Sequence, residues 1–530
     1  MTASERTFTI SRRAILPAAA SLLATSHAVA TQRPAAATVT HLHEALRQLD
    51  SIATDALKRT GVPGMAVAVV SRDQVVYMKG FGVREAGKPD AIDPDTIFPL
   101  ASVSKPIAST VVAALVGDGV VAWDDPLIKH DPDFQMYDPW VTRQITLRDM
   151  FCHRSGLPDH AGDTLEDMGY SRAEVLHRLR YQRPDSSFRS RYAYTNFGLT
   201  AAAVAAAVAA GNSWEDLSAD RLYRPLGMRN TSSRVADFLS AANRARGHVR
   251  LGGQWVAKYT RHPDAQSPAG GVTSSVRDMT SWMRLQLGRG KFAGAEIIKQ
   301  PGLDETHIPQ IVSRQPQNPA IDYPGFYGLG WNINYNKQGQ IIWGHSGAFS
   351  SGNATAVNLI QAEQLGIISL TNAEPIGLPE AVNQSFIDIA LTGAREQDWL
   401  TLFGQIFAQL MAPNYGTTVN YAKPPASLSP PLPAAAYAGI YENDLFGKIE
   451  IANAGGDLVM KLGPRQNSFA LAHFDRDVFT YQPTGENAYG MAAVTFTVAP
   501  DRSATAVTIE NLNLDGQGSF PRQAAGKVSH

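Results

Sequence analysis

Strand-like segments lie at two places far apart in this chain, and helices fill the space between them. Met65 to Val70 and Gln74 to Gly80 are apolar, β-branched runs joined by the turn Ser71-Arg72-Asp73. Four more candidates cluster much later: Tyr327 to Ile333, Gln340 to Trp343, Gly352 to Leu359 and Leu365 to Leu370. The intervening segments have helical spacing. Phe197 to Ala210 is apolar on every side, as expected of a buried helix, and Trp214 to Leu222 and Val276 to Leu287 follow it. A helix over Thr38 to Arg59 precedes the first hairpin, and helices near Glu380 to Leu391 and Asp398 to Leu410 close the module. Strands at both ends of a helical middle predict an α+β fold with one antiparallel sheet built from both halves of the module.

A change of pattern marks a second module. Met411 to Pro433 is rich in Pro, Ala and Ser and has no periodicity, which reads as a linker. Beyond Tyr437 come short alternating runs: Lys448 to Ile451, Leu458 to Leu462, Val478 to Tyr481, Ala493 to Val498 and Ala506 to Glu510. Regular short strands between turns such as Ala454-Gly455-Gly456 predict a small all-β barrel or sandwich. The expected domains are thus an α+β unit over 38–411, a Pro-rich linker over 412–433 and a β-domain over 434–530.

At the N-terminus, Ser11-Arg12-Arg13 precedes a weakly apolar stretch from Ala14 to Ala24, and Ala28-Val29-Ala30 offers small residues for cleavage. Residues 1–30 therefore have the form of a twin-arginine export signal, which places the mature protein in the periplasm or outside the cell. No later segment approaches the ~20 apolar residues needed to span a bilayer. The 47 basic and 48 acidic residues give a formal charge of −1 without a basic stripe, which argues against a nucleic-acid partner. Cys152 is the only cysteine, so no intramolecular disulfide and no cysteine-rich metal site can form. It lies in an apolar helical run and reads as a packing residue.

The chemistry concentrates at three short motifs. Ser102-Val103-Ser104-Lys105 sits where Phe98-Pro99-Leu100 gives way to an apolar helix pattern through Val111, Leu115 and Val116. Ser and Lys three apart lie on one helical face, and a neighbouring amine can lower the cost of deprotonating a serine hydroxyl. Tyr194-Thr195-Asn196 precedes the apolar helix, and His345-Ser346-Gly347 stands at the end of a strand candidate. Each of these two has a decoy. Tyr441-Glu442-Asn443 lies past the linker, and His160-Ala161-Gly162 precedes the tyrosine motif.

In that order and spacing, S-x-x-K, Y-x-N and H-x-G resemble the serine β-lactamase-related family of class C β-lactamases, DD-peptidases, D-aminopeptidases and esterases. The phrases His153-Arg154-Ser155-Gly156-Leu157-Pro158 and Ser267-Pro268-Ala269-Gly270-Gly271 strengthen the likeness. The resemblance covers about Thr38 to Leu391. It implies a β-lactamase/transpeptidase-like domain, and a weaker likeness of the C-terminal module to lipocalin-like β-domains.

It further implies an acyl-enzyme on Ser102, with Lys105 and Tyr194 sharing the general-base task. Lys105 would supply the charge that lets a tyrosine of pKa ~10 act as phenolate. Asn196 would hold Lys105 and substrate, and the N–H groups of Ser102 and Ala348, after His345 and Gly347, would bind the oxyanion. No metal or cofactor is required. His345 stands where many lactamases carry lysine, and a histidine is charged only near or below ~6.5. That disfavours efficient β-lactam turnover. The expected activity is cleavage of peptide or amide bonds in small or linear peptides, such as D-amino-acid, peptidoglycan-stem or linearised cyanotoxin peptides. An esterase on short acyl esters and a β-lactam-binding or sensing protein are the alternatives, and oligomeric state is open.

Overall fold

The computed structural model describes residues 41–320 and 322–524. The export-signal expectation at residues 1–30 lies outside them. Helix α1 (Leu42–Thr60) leads into the hairpin β1 (Gly64–Ser71) and β2 (Gln74–Gly82). The helical middle includes α2 (Ser104–Gly117), α3 (Asp163–Asp167), α4 (Asn196–Ala209) and α5 (Val276–Leu287), with other short helices between them. The chain then returns to the sheet with β3 (Ile311–Arg314), β4 (Gly325–Tyr327), β5 (Asn332–Tyr335), β6 (Ile341–Phe349), β7 (Asn353–Ile360) and β8 (Leu365–Thr371). Helices α6 (Leu378–Thr392) and α7 (Trp399–Leu410) follow.

The eight strands form one sheet in the order β2-β1-β8-β7-β6-β5-β4-β3, antiparallel throughout. β1 and β8 sit inside it, and their unbroken apolar runs follow from cover on both faces. Met65, Val67 and Val69 pack against α1 and α6 with Leu49, Ile52 and Phe386, whereas Ala66, Ala68 and Val70 join the core that holds α2 and α5. This two-faced burial stabilises the sheet at ~25 cal/mol per Å² of apolar surface removed from water.

Three expectations need correction. Tyr327 to Ile333 is two strands rather than one, because Gly328 to Trp331 makes a tight reversal with Gly330 at φ +80°. A Cβ on Gly330 would lie 2.8 Å from the Lys105 carbonyl oxygen, so this turn is pressed against the start of α2. His345-Ser346-Gly347 lies inside β6 rather than at its end. The β-domain has eight strands rather than five: β9 (Gly439–Asn443), β10 (Gly447–Ala454), β11 (Asp457–Leu462), β12 (Asn467–Asp475), β13 (Val478–Tyr481), β14 (Ala492–Val498), β15 (Ala504–Ile509) and β16 (Ser519–Pro521).

The eight follow one another as an antiparallel meander, and Tyr441 on β9 bridges to Arg522 beyond β16, so the barrel is nearly closed. Its core is built by inward-facing Tyr437, Tyr441, Phe479, Phe496 and Phe520. Residues 412–433 contain no helix or strand. Among the described residues no single helix is long and apolar enough to cross a membrane.

Candidate active site

The chain enters the site through Phe98–Pro99, which pairs with Thr273–Ser274. Ala101 then adopts φ +47°, a left-handed conformation that an alanine takes only when its surroundings impose it. That sharp turn starts a 3₁₀ segment, Ala101–Val103, which runs directly into α2. Ser102 therefore sits in the 3₁₀ turn, while Lys105 is in the first turn of α2 and fully buried.

A directional chain of hydrogen bonds links the predicted residues. The Tyr194 hydroxyl donates to Ser102 Oγ at 2.7 Å, and Lys105 Nζ lies 3.1 Å from the same oxygen. Nζ also donates to Asn196 Oδ1 at 2.6 Å and to the Ala269 carbonyl at 2.9 Å. Both of these are pure acceptors, so they take two amine hydrogens. A neutral Lys105 then turns its lone pair to Ser102 Oγ. Burial pushes the Lys105 ammonium down to about 7 against the opposing charge of Asp163. Burial also raises the Tyr194 phenol far above its ordinary value, only partly offset by its bond to Ser102.

Sequence reasoning missed the group that orients Asn196. Asp163 Oδ2 accepts from Asn196 Nδ2 at 2.8 Å, which fixes the amide with its oxygen toward Lys105. The same carboxylate oxygen lies 2.8 Å from His160 Nδ1, so the decoy H-x-G supplies a histidine one layer behind the site. The other decoy is structural, since the Tyr441 hydroxyl donates to the Tyr437 carbonyl in the barrel. His153 opens the segment His153-Arg154-Ser155-Gly156-Leu157-Pro158. It is buried with its ring centroid 4.7 Å from that of Tyr194, and its Nδ1 accepts from the Thr195 N–H at 3.2 Å.

The third motif forms the opposite wall. A Cβ on Gly347 would lie 2.2 Å from the Leu100 carbonyl oxygen and 3.0 Å from Ser102 N, so only glycine lets β6 approach the Ser102 turn. β6 pairs with β7 over Trp343 to Phe349 but with β5 only as far as Gly344. Its edge from His345 to Phe349 is thus without a strand partner on the β5 side, and Ala348 lies on that open stretch. His345 does not offer a donor to substrate. Its Nδ1 lies 2.7 Å from the Ser346 carbonyl, which must accept, so Nε2 accepts from the Tyr327 hydroxyl at 2.8 Å. Burial and the nearby Lys105 push the His345 imidazole down to about 3, so it is neutral across the physiological range.

Cys152 is buried and burial pushes its thiol up to about 12, in keeping with a packing residue. Among the described residues no cluster of His, Cys, Asp and Glu could hold a metal ion.

The Beta-lactamase family model matches residues 49–391, a span that contains all three motifs. The chain belongs to the beta-lactamase family. A second model, a domain of unknown function (DUF3471), matches residues 423–520 of this beta-lactamase-family protein. The chain is 25% identical over 414 residues to Unguisins hydrolase ungD' of Aspergillus campestris (strain IBT 28561), covering 74% of this chain and 75% of that one. It is 24% identical over 392 residues to Penicillin-binding protein 4 of Amycolatopsis lactamdurans, covering 72% and 94% of the two chains. The octameric penicillin-binding protein homologue from Pyrococcus abyssi shares the fold with a TM-score of 0.58 at 20% identity, over 87% of this chain and 97% of that one. Family, fold and hydrolase relatives together make this protein a serine hydrolase of the beta-lactamase type.

Proposed function

We propose that the protein is an exported amidase or peptidase of the beta-lactamase family that acts on small or linear peptides through an acyl-enzyme on Ser102. The observation that carries this reading is the arrangement around Lys105 Nζ, whose hydrogens are taken by Asn196 Oδ1 and the Ala269 carbonyl while Ser102 Oγ lies 3.1 Å away. In this reading Lys105, rather than a Tyr194 phenolate, is the base. Lys105 takes the Ser102 proton as Oγ attacks the carbonyl carbon, and the N–H groups of Ser102 and Ala348 receive the oxyanion. Tyr194 keeps its proton, because burial disfavours the phenolate. It donates that proton to the leaving nitrogen as the C–N bond breaks, and recovers one from the Lys105 ammonium. Water then attacks the acyl carbon and gives its proton to Lys105, and Ser102 Oγ leaves as Tyr194 protonates it and regains a proton from the Lys105 ammonium.

A held phenol proton supports amide over ester substrates, since an amide nitrogen cannot leave without protonation. His345, neutral and bonded to Tyr327, supports substrates other than carboxylate-bearing β-lactams. The twin-arginine segment Ser11-Arg12-Arg13 supports export. Tyr194→Phe separates amide from ester chemistry. Peptide cleavage should fall by about 10² to 10⁴, while a nitrophenyl ester, whose leaving group departs unprotonated, should fall by about tenfold or less. Equal losses on both substrates refute the assigned proton donor, and a peptide panel left intact by the wild type refutes the peptidase reading. Periplasmic protein beginning after Ala30 is expected by N-terminal mass, and an uncut cytoplasmic chain contradicts export.

A further inference from the structure

The open edge of β6 does not run free. Beyond Phe349, the next two residues are held by one glutamate from the barrel. The Glu486 carboxylate accepts from the Ser350 backbone N–H and from Ser351 Oγ (3.3 Å), and the Glu486 carbonyl accepts from Ser350 Oγ at 2.8 Å. Glu486 lies on the loop between β13 and β14, residues 482–491, and the other side of that loop is tied to α3. The Asp167 carboxylate accepts from Glu486 N at 2.9 Å, from Asn487 N at 3.0 Å and from Asn487 Nδ2 at 2.9 Å. Arg261 fills the angle between them, paired with Glu166 and 3.9 Å from Glu486.

The two anchors are the two walls of the catalytic cleft. Ser350 is two residues beyond Ala348 on the strand wall. Asp167 is one helical turn beyond Asp163, which orients Asn196 on the helical wall. The barrel loop therefore spans from one wall to the other.

Polarity along β6 says which end it closes. The ring of Tyr194 lies 6.4 Å from that of His345, so a leaving group protonated by Tyr194 sits at the His345 end of the open edge. The acyl part then runs the opposite way, past Gly347 and Ala348 toward Ser350, where the loop crosses.

We propose that Glu486 is a positioning and specificity-setting residue of this hydrolase. It latches the barrel loop across the acyl end of the cleft, which limits the length of acyl chain that fits beyond Ser102, and it holds the end of the strand that carries the Ala348 N–H. This proposal rests on the acyl-enzyme reading above. It gives the C-terminal barrel a part in catalysis.

The test uses the full chain and nitrophenyl esters of acetic, butyric, hexanoic and octanoic acid, with intact-mass detection of the Ser102 adduct. The wild type should favour the short acyl groups. Glu486→Ala should raise the octanoyl-to-acetyl ratio of kcat/KM by about tenfold or more and lower kcat on the acetyl ester as the end of β6 loosens. Glu486→Gln keeps a side-chain oxygen for the Ser350 N–H and should stay within about threefold of wild type. Asp167→Ala frees only the helical anchor. It should raise the same ratio while leaving kcat on the acetyl ester near wild type, and it decides the matter if Glu486→Ala fails to fold by circular dichroism. A ratio unchanged within about twofold in whichever of these two alanine variants folds overturns the latch. A wild type whose Ser102 is acylated by no ester in the series contradicts the acyl-enzyme reading and the latch with it, whereas acylation with an unaltered length ratio in the variants contradicts the latch alone.

Discussion

Replacing Asp163 with asparagine isolates one charge from the hydrogen-bond geometry it supports. The new side-chain amide would keep an oxygen to accept from Asn196 Nδ2 and from His160 Nδ1, so the frame around Lys105 should survive. The negative charge is lost, and that charge is what opposes burial in setting the Lys105 proton affinity. Lys105 Nζ and Asp163 are joined through the Asn196 amide by bonds of 2.6 and 2.8 Å. The charges are therefore no farther apart than about 8 Å, which at an effective dielectric of ~20 corresponds to about 2 kcal/mol. Residual solvent screening roughly halves this, leaving a downward shift of about 0.7 of a pKa unit.

The sign follows from the proposed role of Lys105 as base. Below its pKa the amine is protonated and has no lone pair for Ser102. A lower pKa extends activity to more acidic pH. The acid limb of kcat/KM should move from near 7 in the wild type to about 6.3 in Asp163→Asn, measured with a nitrophenyl ester between pH 4.5 and 9. A limb that stays in place, or moves upward, refutes the assignment of that limb to Lys105 or the coupling to Asp163.

Other outcomes follow from single contacts. The wild-type limb itself should fall about tenfold per pH unit below the Lys105 value of about 7, and a flat profile from pH 5 to 8 would contradict a buried amine base. Gly347→Ala brings a Cβ within 2.2 Å of the Leu100 carbonyl, so β6 must back away from Ser102. Acylation should drop by about 10² for a shift near 1 Å, with a stability loss of about 1–3 kcal/mol by thermal melting. Cys152, buried and raised to about 12, should resist iodoacetamide at pH 8 in the folded protein and react only after denaturation.

That Ser102, Lys105 and Tyr194 meet at one place was legible in the sequence because each belongs to a short local pattern. Ser102 and Lys105 are one turn apart, and Asn196 follows Tyr194 by two residues, so spacing alone puts each pair on one side. The same holds for β1 and β8, whose apolar runs report burial on two faces. What spacing could not report is which partner a polar side chain chooses from a distant segment. His345 invites a substrate-binding reading, yet its imidazole is spent on the Ser346 carbonyl and on Tyr327. Asp163 carries no motif of its own, and only the fold brings it to Asn196.

The proposed division of labour between Lys105 and Tyr194 was also hidden, because it depends on burial that places the amine low and the phenol high. The barrel strands that escaped notice have a similar cause. Asn467–Asp475 has one fully buried residue, Leu471, and carries Ala470 and Ala472 at its exposed positions, so the contrast between its two faces is weak in the sequence. Ser519–Pro521 is too short to carry a period at all.

Ser102 stands at the centre of the account, and trapping its acyl-enzyme tests that most directly. After reaction with an activated ester and quenching in acid, intact mass should rise by one acyl group, and peptide mapping should place it on Ser102. Ser102→Ala should show neither the adduct nor turnover. Turnover retained in Ser102→Ala, or an adduct mapped to another residue, contradicts the assignment of the nucleophile.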